Sequence, residues 1–498
     1  MCAFGLPTSS PAGTGQIQRP QAEHATKGLT QRVNQESTRT NLIREFVRPF
    51  FHAQDIPTIM NTPKKSPTLW GLLVLFTSLF CEPSQLPAAD ETLALRPAAG
   101  DWPWWRGPQR NGHAEDSRQA PTQWAAGQNV AWKSPVPGRG HSSPTVVGNI
   151  IAMQTADEIQ ETQSVVAFDR RTGKQLWQQI ISRGGLPERI HPKNSQATST
   201  VASDGKRLFA AAFHHESIHL TTLTLDGKPL WDKKIGPFRP QEYRNGYAAS
   251  PILYGNHVIV LAECDDSSYM VALERTTGKE IWRTKRPSNI SYSSPVIGRV
   301  AGRDQILIGG CHLVAGFDPT NGRRLWATKA TTMATSGTLV WHDDLVFASG
   351  GFPDAETVCV KADGSGDIVW RNTQKCYEQS MIVYQGFVYA MNDAGIMFCW
   401  RGSDGKEMWK HRLQGPISAS PVLVNGNLYI ANERGTTFIL QATPTKYREI
   451  ARNELGNSVF ATPSICGGRV YLRVAEETDG KRSETLYAIE NAQSANSP

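Results

Sequence analysis

Four stretches of the chain carry side chains that could do chemistry. HHESIH gathers His214, His215, Glu216 and His219, imidazole and carboxylate groups of the kind that ligate zinc or copper. AECDDSS and NDAG offer oxygen donors for a hard cation, from Glu263, Asp265 and Asp266 and from Asn392 and Asp393. Two long strings, QQIISRGGLPERIHPKNSQ and DKKIGPFRPQEYRNGYAA, carry Arg183, Arg189, His191, Lys193, Arg239 and Arg244 against Glu188 and Glu242. With Arg139 of PGRGH these cations would form a lip that accepts an anion. Each set does chemistry only if the fold converges it. If HHESIH is a strand, the two-residue period splits its histidines between opposite sides. No Gly-x-Ser-x-Gly elbow or phosphate-cradling glycine loop stands at a strand-to-helix junction. No CxxC or CxxCH occurs, so zinc of the usual spacing and covalent haem lack support.

The elements that must position these residues are written in repeats. VVAFDRRTGKQLW, MVALERTTGKEIW, VAGFDPTNGRRLW and FCWRGSDGKEMW each read as an alternating strand, a polar glycine turn and a second strand ending in Trp177, Trp282, Trp326 or Trp409. Weaker copies end in Trp231 and Trp370. A second phrase precedes each hairpin, as in HSSPTVVGNIIAM, AASPILYGNHVIVL and SASPVLVNGNLYIA; it too is strand, tight turn, strand. Eight such phrases begin near residues 141, 197, 248, 292, 335, 379, 418 and 460, so each unit of about 40 to 55 residues makes four antiparallel strands, the content of a propeller blade. The fold class is all-β, an eight-bladed β-propeller. The last unit is short of one strand, and NVAWKSPVPG with Trp132 is one strand without a partner, so Val130–Pro135 completes the last blade and closes the ring.

The tryptophans should cover the seams between blades, facing a column of small residues at Ala167, Ala272, Gly316, Cys359, Cys399 and Ala488. The seventh unit, FILQATPTKYREIARNEL, lacks both the glycine turn and the tryptophan, and its outer edge is expected to be the weakest seam. In a four-stranded meander the loops joining strands B to C, and D to the next A, share one face. The mouth of the channel on that face is expected to be lined by His141, Asn194, Asn245, Tyr247, Tyr292, Tyr377, Glu378 and Phe460. Aromatic planes with a few polar groups suit a flat ligand or a peptide, and they could equally plug the channel.

Composition bounds the rest. The net charge is +7, of which residues 1–89 hold 8 Lys/Arg against 5 Asp/Glu, too weak a basic balance for nucleic-acid binding. Residues 1–59 are polar and aperiodic and read as lying upstream of the true start. Residues 60–89, with Lys64 and Lys65 before the apolar run Leu69–Cys81 and small residues at Ala88 and Ala89, read as a secretory signal peptide; the run is short of the roughly 20 residues of a membrane span. Residues 90–129 form a Trp-rich leader, 130–491 the propeller and 492–498 a disordered tail. Export would permit disulfides among Cys264, Cys311, Cys359, Cys376, Cys399 and Cys466, with the pairing open.

The TGKxxW and SSPVVxG phrases resemble the pyrroloquinoline quinone repeat superfamily, which includes quinoprotein alcohol dehydrogenases and the outer-membrane assembly factor BamB. The leader DWPWWRGPQRNG is most similar to exported propeller-only proteins common in planctomycetes. The resemblance implies, for a dehydrogenase, a quinone over a tryptophan, a calcium ion that Glu378 with Asn194 or Asn245 could hold, and a disulfide of adjacent cysteines. The chain has no adjacent cysteines and no tryptophan clearly placed at the mouth. The expectation is therefore a periplasmic or secreted, non-catalytic scaffold that binds a protein, peptide or polysaccharide, without cofactor, metal or nucleic acid. A quinone-dependent dehydrogenase and a BamB-like assembly factor stand as alternatives.

Overall fold

The computed structural model describes residues 95–114 and 119–492. The expected signal peptide, the residues before it and the tail from 493 lie outside them. The chain forms eight four-stranded antiparallel sheets. Blade 1 runs outward as strand A Thr145–Val147, B Ile150–Asp157, C Thr162–Asp169 and D Gln175–Arg183. Innermost strands of blades 2 to 8 are Ala202–Ser203, Ile252–Tyr254, Val296–Val300, Val340–His342, Ile382–Tyr384, Val422–Val424 and Ser464–Cys466. As expected, Val130–Val136 is the outer strand of blade 8, pairing Trp132 with Ala488. At the channel the Ser464 hydroxyl of blade 8 donates to the Pro144 carbonyl of blade 1 at 2.5 Å, so the ring is fastened at both radii.

The tryptophans stand opposite the small column in register: Trp177 on Ala167, Trp282 on Ala272, Trp326 on Gly316, Trp370 on Cys359 and Trp409 on Cys399. Their indoles then reach the next blade. Trp177, Trp231, Trp370 and Trp409 donate to the carbonyls of Leu225, Arg275, Gly402 and Thr443 at 2.7 to 3.2 Å. The turn glycine of the next blade lies beneath: a Cβ on Gly322 would stand 2.5 Å from the Trp282 ring, and its φ of +71° suits glycine besides. The repeated glycine and tryptophan thus meet across blades. Trp326 departs from this pattern, donating to Gln305 at 2.7 Å in its own blade.

Blade 7 places Ala451 where a tryptophan is missing, opposite Ile439. The seam is not left bare. Trp124 of the leader, 4% exposed, stacks on Tyr429 at 6.4 Å and 5°, and its backbone N–H donates to the Asn453 side-chain oxygen at 2.8 Å. Blade 8 has no local C–D turn, because its outer strand comes from the start of the ring, so a tryptophan in blade 7 would have no turn glycine to cover. The six cysteines of the propeller are buried, and no disulfide joins them among the described residues; Cys359 and Cys399 fill the small column.

Candidate functional site: the channel mouth

The leader crosses the channel. Trp102 bridges Val146 of blade 1, the Ser203 N–H of blade 2 donates to Pro103, and the Arg110 guanidinium donates to the Leu253 carbonyl of blade 3. Trp105 donates to the Thr338 hydroxyl at 2.8 Å. Arg106, 1% exposed, donates to the carbonyls of Met381 at 2.8 Å, Pro421 at 2.9 Å and Asn111 at 3.1 Å. Burial pushes that guanidinium down to about 9. His113 bridges Leu423 and places its ring 2.8 Å from the Val383 carbonyl. The leader therefore plugs the end away from the mouth, and the mouth residues do not.

Above the plug is a cavity of about 180 Å³ with Trp105 among its walls. Its lining follows the period of the strand entries. One tier consists of Ser143, Thr200, Ser250, Ser294, Ser420 and Thr462, just before or at strand A. Two residues earlier, the same face carries His141, Thr198, Ala248, Tyr292, Ser336, Glu378, Ser418 and Phe460, the spacing of alternating side chains. The first tier is knitted from blade to blade: at six of the eight junctions the N–H of one residue donates to the hydroxyl of its counterpart in the next blade. The distances are 3.3 Å for Ser143 to Thr200, 3.0 Å for Thr200 to Ser250 and 2.9 Å for Ser250 to Ser294. Thr338 to Ser380, Ser380 to Ser420 and Ser420 to Thr462 continue it at 2.9 to 3.0 Å.

Of the residues expected at the mouth, His141, Asn194, Asn245, Tyr292, Tyr377, Glu378 and Phe460 line the cavity, with His191 and Lys193 from the first long loop. His141 stacks on Phe460 at 4.6 Å, and burial, with Arg139, Arg482 and Arg473 nearby, holds the imidazole well below its ordinary value. Asn245 donates to the Tyr292 hydroxyl at 2.8 Å. Tyr247 does not line the mouth: it is turned into its blade, donating to the Leu261 carbonyl at 2.9 Å, because Ala248 takes the inward position.

Lys193 spans the opening. Its ammonium donates to Glu433 of blade 7 at 2.7 Å and lies 3.9 Å from Glu378 of blade 6. The Ser418 hydroxyl sits between both carboxylates, bonded to Glu378 and 2.6 Å from Glu433. Burial pushes the Glu378 carboxyl up, against the lowering effects of Ser418 and Lys193. The other lip cations are placed apart from the cavity. Arg139 donates to the carbonyls of Asn194 and Pro192 and lies 3.8 Å from Glu158; Arg239 pairs with Glu216 at 3.0 Å; Arg189 and Arg244 are exposed.

The other candidate clusters resolve differently. HHESIH does not split its histidines: His214 pairs with Ser217 across a two-residue turn, which restores parity, so His214 and His219 share a side and stack at 4.0 Å. His214 and His215 approach to 2.9 Å between Nδ1 atoms. Glu263 is buried against Arg286 at 2.7 Å, Asp265 accepts from the N–H groups of Gln241 and Glu242, and Asp393 lies 3.4 Å from Lys375. No set of three or more His, Cys, Asp or Glu side chains among the described residues could hold a metal ion. Trp105, the second-tier hydroxyls and Glu433 were not foreseen; the tryptophan-dense leader, which could not be left in water, was the available signal for the first.

Known proteins share this architecture. BamB of Burkholderia pseudomallei (strain K96243) is 23% identical over 386 residues, 73% of this chain and 91% of that protein. The crystal structure of BamB from Moraxella catarrhalis superposes with a TM-score of 0.52 at 15% identity, over 72% of this chain and 99% of that one. A europium-containing methanol dehydrogenase superposes at 0.57 with 11% identity, over 80% and 99%; these structural likenesses show the fold. The family model described as outer membrane protein assembly factor BamB matches residues 122–237 and 161–411. With more than half of its length so matched, the chain belongs to that family of pyrroloquinoline quinone-like repeat propellers.

Proposed function

We propose that the chain is a non-catalytic scaffold of the cell envelope that binds a protein through the face carrying the mouth. The observation that carries this reading is Lys193: it straps a long loop of blade 1 across the opening to blades 6 and 7, presenting an ordered, largely exposed loop surface beside a shallow cavity. Family relatives named as assembly factors of the outer membrane support a protein partner, and an outer-membrane assembly component is the first partner to test. A peptide or polysaccharide would use the same face. A quinone with calcium fits poorly. The cavity of about 180 Å³ is below the roughly 300 Å³ where pockets for drug-sized ligands begin. The Asn194 side-chain oxygen already accepts from the Ser195 N–H at 2.8 Å, and Glu378 is committed to Ser418.

The test is a photo-crosslinking residue placed at His191 or at Ile159, which is 97% exposed at a B–C turn, with Thr320 on the opposite turns as control. One discrete protein adduct in envelope preparations from the first two positions and none from Thr320 is expected. Equal labelling from all three, or adducts from Thr320 alone, would exclude the face.

A further inference from the structure

We propose that the channel cavity is a binding site for a small oxyanion, a carboxylate or phosphate group, independent of the protein-binding reading. The argument is an account of hydroxyl protons. Thr200, Ser250, Ser294, Ser420 and Thr462 each accept an N–H from the neighbouring blade, and among the described residues none of their own protons meets an acceptor. Buried hydroxyls do not leave their protons unused without cost. Their accepting capacity is partly engaged behind them, so they present O–H groups to the cavity they line.

Two further groups point the same way. Ser143 is 3% exposed and lines the cavity, and its hydroxyl has no partner among the described residues. His141 is 9% exposed, lines the cavity, and its Nε2 is buried without a partner. Beneath the floor, the Arg106 guanidinium has carbonyl acceptors alone, so its positive charge is uncompensated by any carboxylate in contact. At the rim the Lys193 ammonium lies against both Glu378 and Glu433, and the deeper tier of hydroxyls includes no carboxylate. A ring of donors over a buried cation stabilises negative charge. The volume of about 180 Å³ admits acetate or phosphate together with water.

Ser143 gives a clean test, because Ser143→Ala removes a donor without removing a hydrogen bond of the fold. Isothermal titration of the whole protein with sodium acetate, inorganic phosphate and glycerol, at ionic strength fixed with chloride, separates carboxylate, phosphate and neutral acceptors. We expect saturable one-site binding of acetate or phosphate, about tenfold weaker in Ser143→Ala, as befits one hydrogen bond to a charged group, with melting in the absence of ligand unchanged. Glycerol is expected not to bind. No saturable binding above chloride, equal affinity in Ser143→Ala, or preference for glycerol would overturn the proposal. So would crystals soaked in acetate and in phosphate that show only water in the channel.

Discussion

Replacing Arg106 tests the leader's role as a plug. Its guanidinium makes three bonds to backbone carbonyls in a site where it is 1% exposed. Hydrogen bonds to a charged group contribute roughly 1.5–3 kcal/mol each, but moving the charge out of water offsets much of that, as the fall to about 9 records. Truncation restores the solvation term and leaves behind unpaired carbonyls at about 1–3 kcal/mol each and an emptied volume. Arg106→Ala should therefore cost about 3–5 kcal/mol, comparable to breaking other buried charged contacts. For a protein of this size that is about 4–6 °C in Tm. The pH dependence is more specific. The folded-state value lies below the unfolded one, so above pH 9 the unfolded chain holds more protons, and the wild type gains stability as pH rises. Its advantage over Arg106→Ala should therefore widen, not shrink, as pH rises above 9. Urea unfolding of both proteins from pH 7 to 10.5 measures this. A cost under about 1 kcal/mol, or a difference that stays flat with pH, would refute the argument that a buried, uncompensated guanidinium holds the plug.

Other substitutions probe separate features. Glu378→Gln removes a carboxyl that burial holds up; the folded state grips that proton more tightly than the unfolded chain, so stability is full below the unfolded value near 4.3 and is lost as pH rises through the folded one. The variant should be more stable than wild type at pH 7 to 8 and should lose that advantage near pH 4, as chemical denaturation at each pH would show. Gly322→Ala should cost about 2 kcal/mol or more, from positive φ and the Trp282 contact together; combined with Trp282→Leu, only the backbone share of about 1 kcal/mol should be added to the cost of the tryptophan. Trp124→Ala should cost about 3–5 kcal/mol and speed amide exchange in Glu449–Glu454, while exchange in the Trp282 strand stays unchanged.

The blades were legible because hairpin chemistry is local: a glycine turn and alternating strands lie within a dozen residues, and the missing strand of the eighth unit pointed to Trp132. Half of the mouth was legible for a related reason, since His141, Tyr292, Glu378 and Phe460 occur at one position of a repeated phrase. Thr198, Ser336 and Ser418 occupy that same position but are too ordinary to stand out. Tyr247 shows how little error is tolerated, as its neighbour Ala248 takes the inward place. The path of the leader could not be read at all. Its contacts join Arg106 to Pro421 and Trp124 to Asn453, across some three hundred residues, with no period to announce them. The histidine string misled because parity was counted along one strand, whereas the turn at His215 and Glu216 resets it.

The pairing of Trp132 with Ala488 also imposes a timetable on biosynthesis. An early strand stays without its neighbour until nearly the whole polypeptide has emerged, and the segment that traverses the pore must already lie inside when the circle shuts. A chain that has not yet formed Lys481–Glu490 is an open horseshoe with a bare sheet edge, the state in which it is most exposed to aggregation and to proteases.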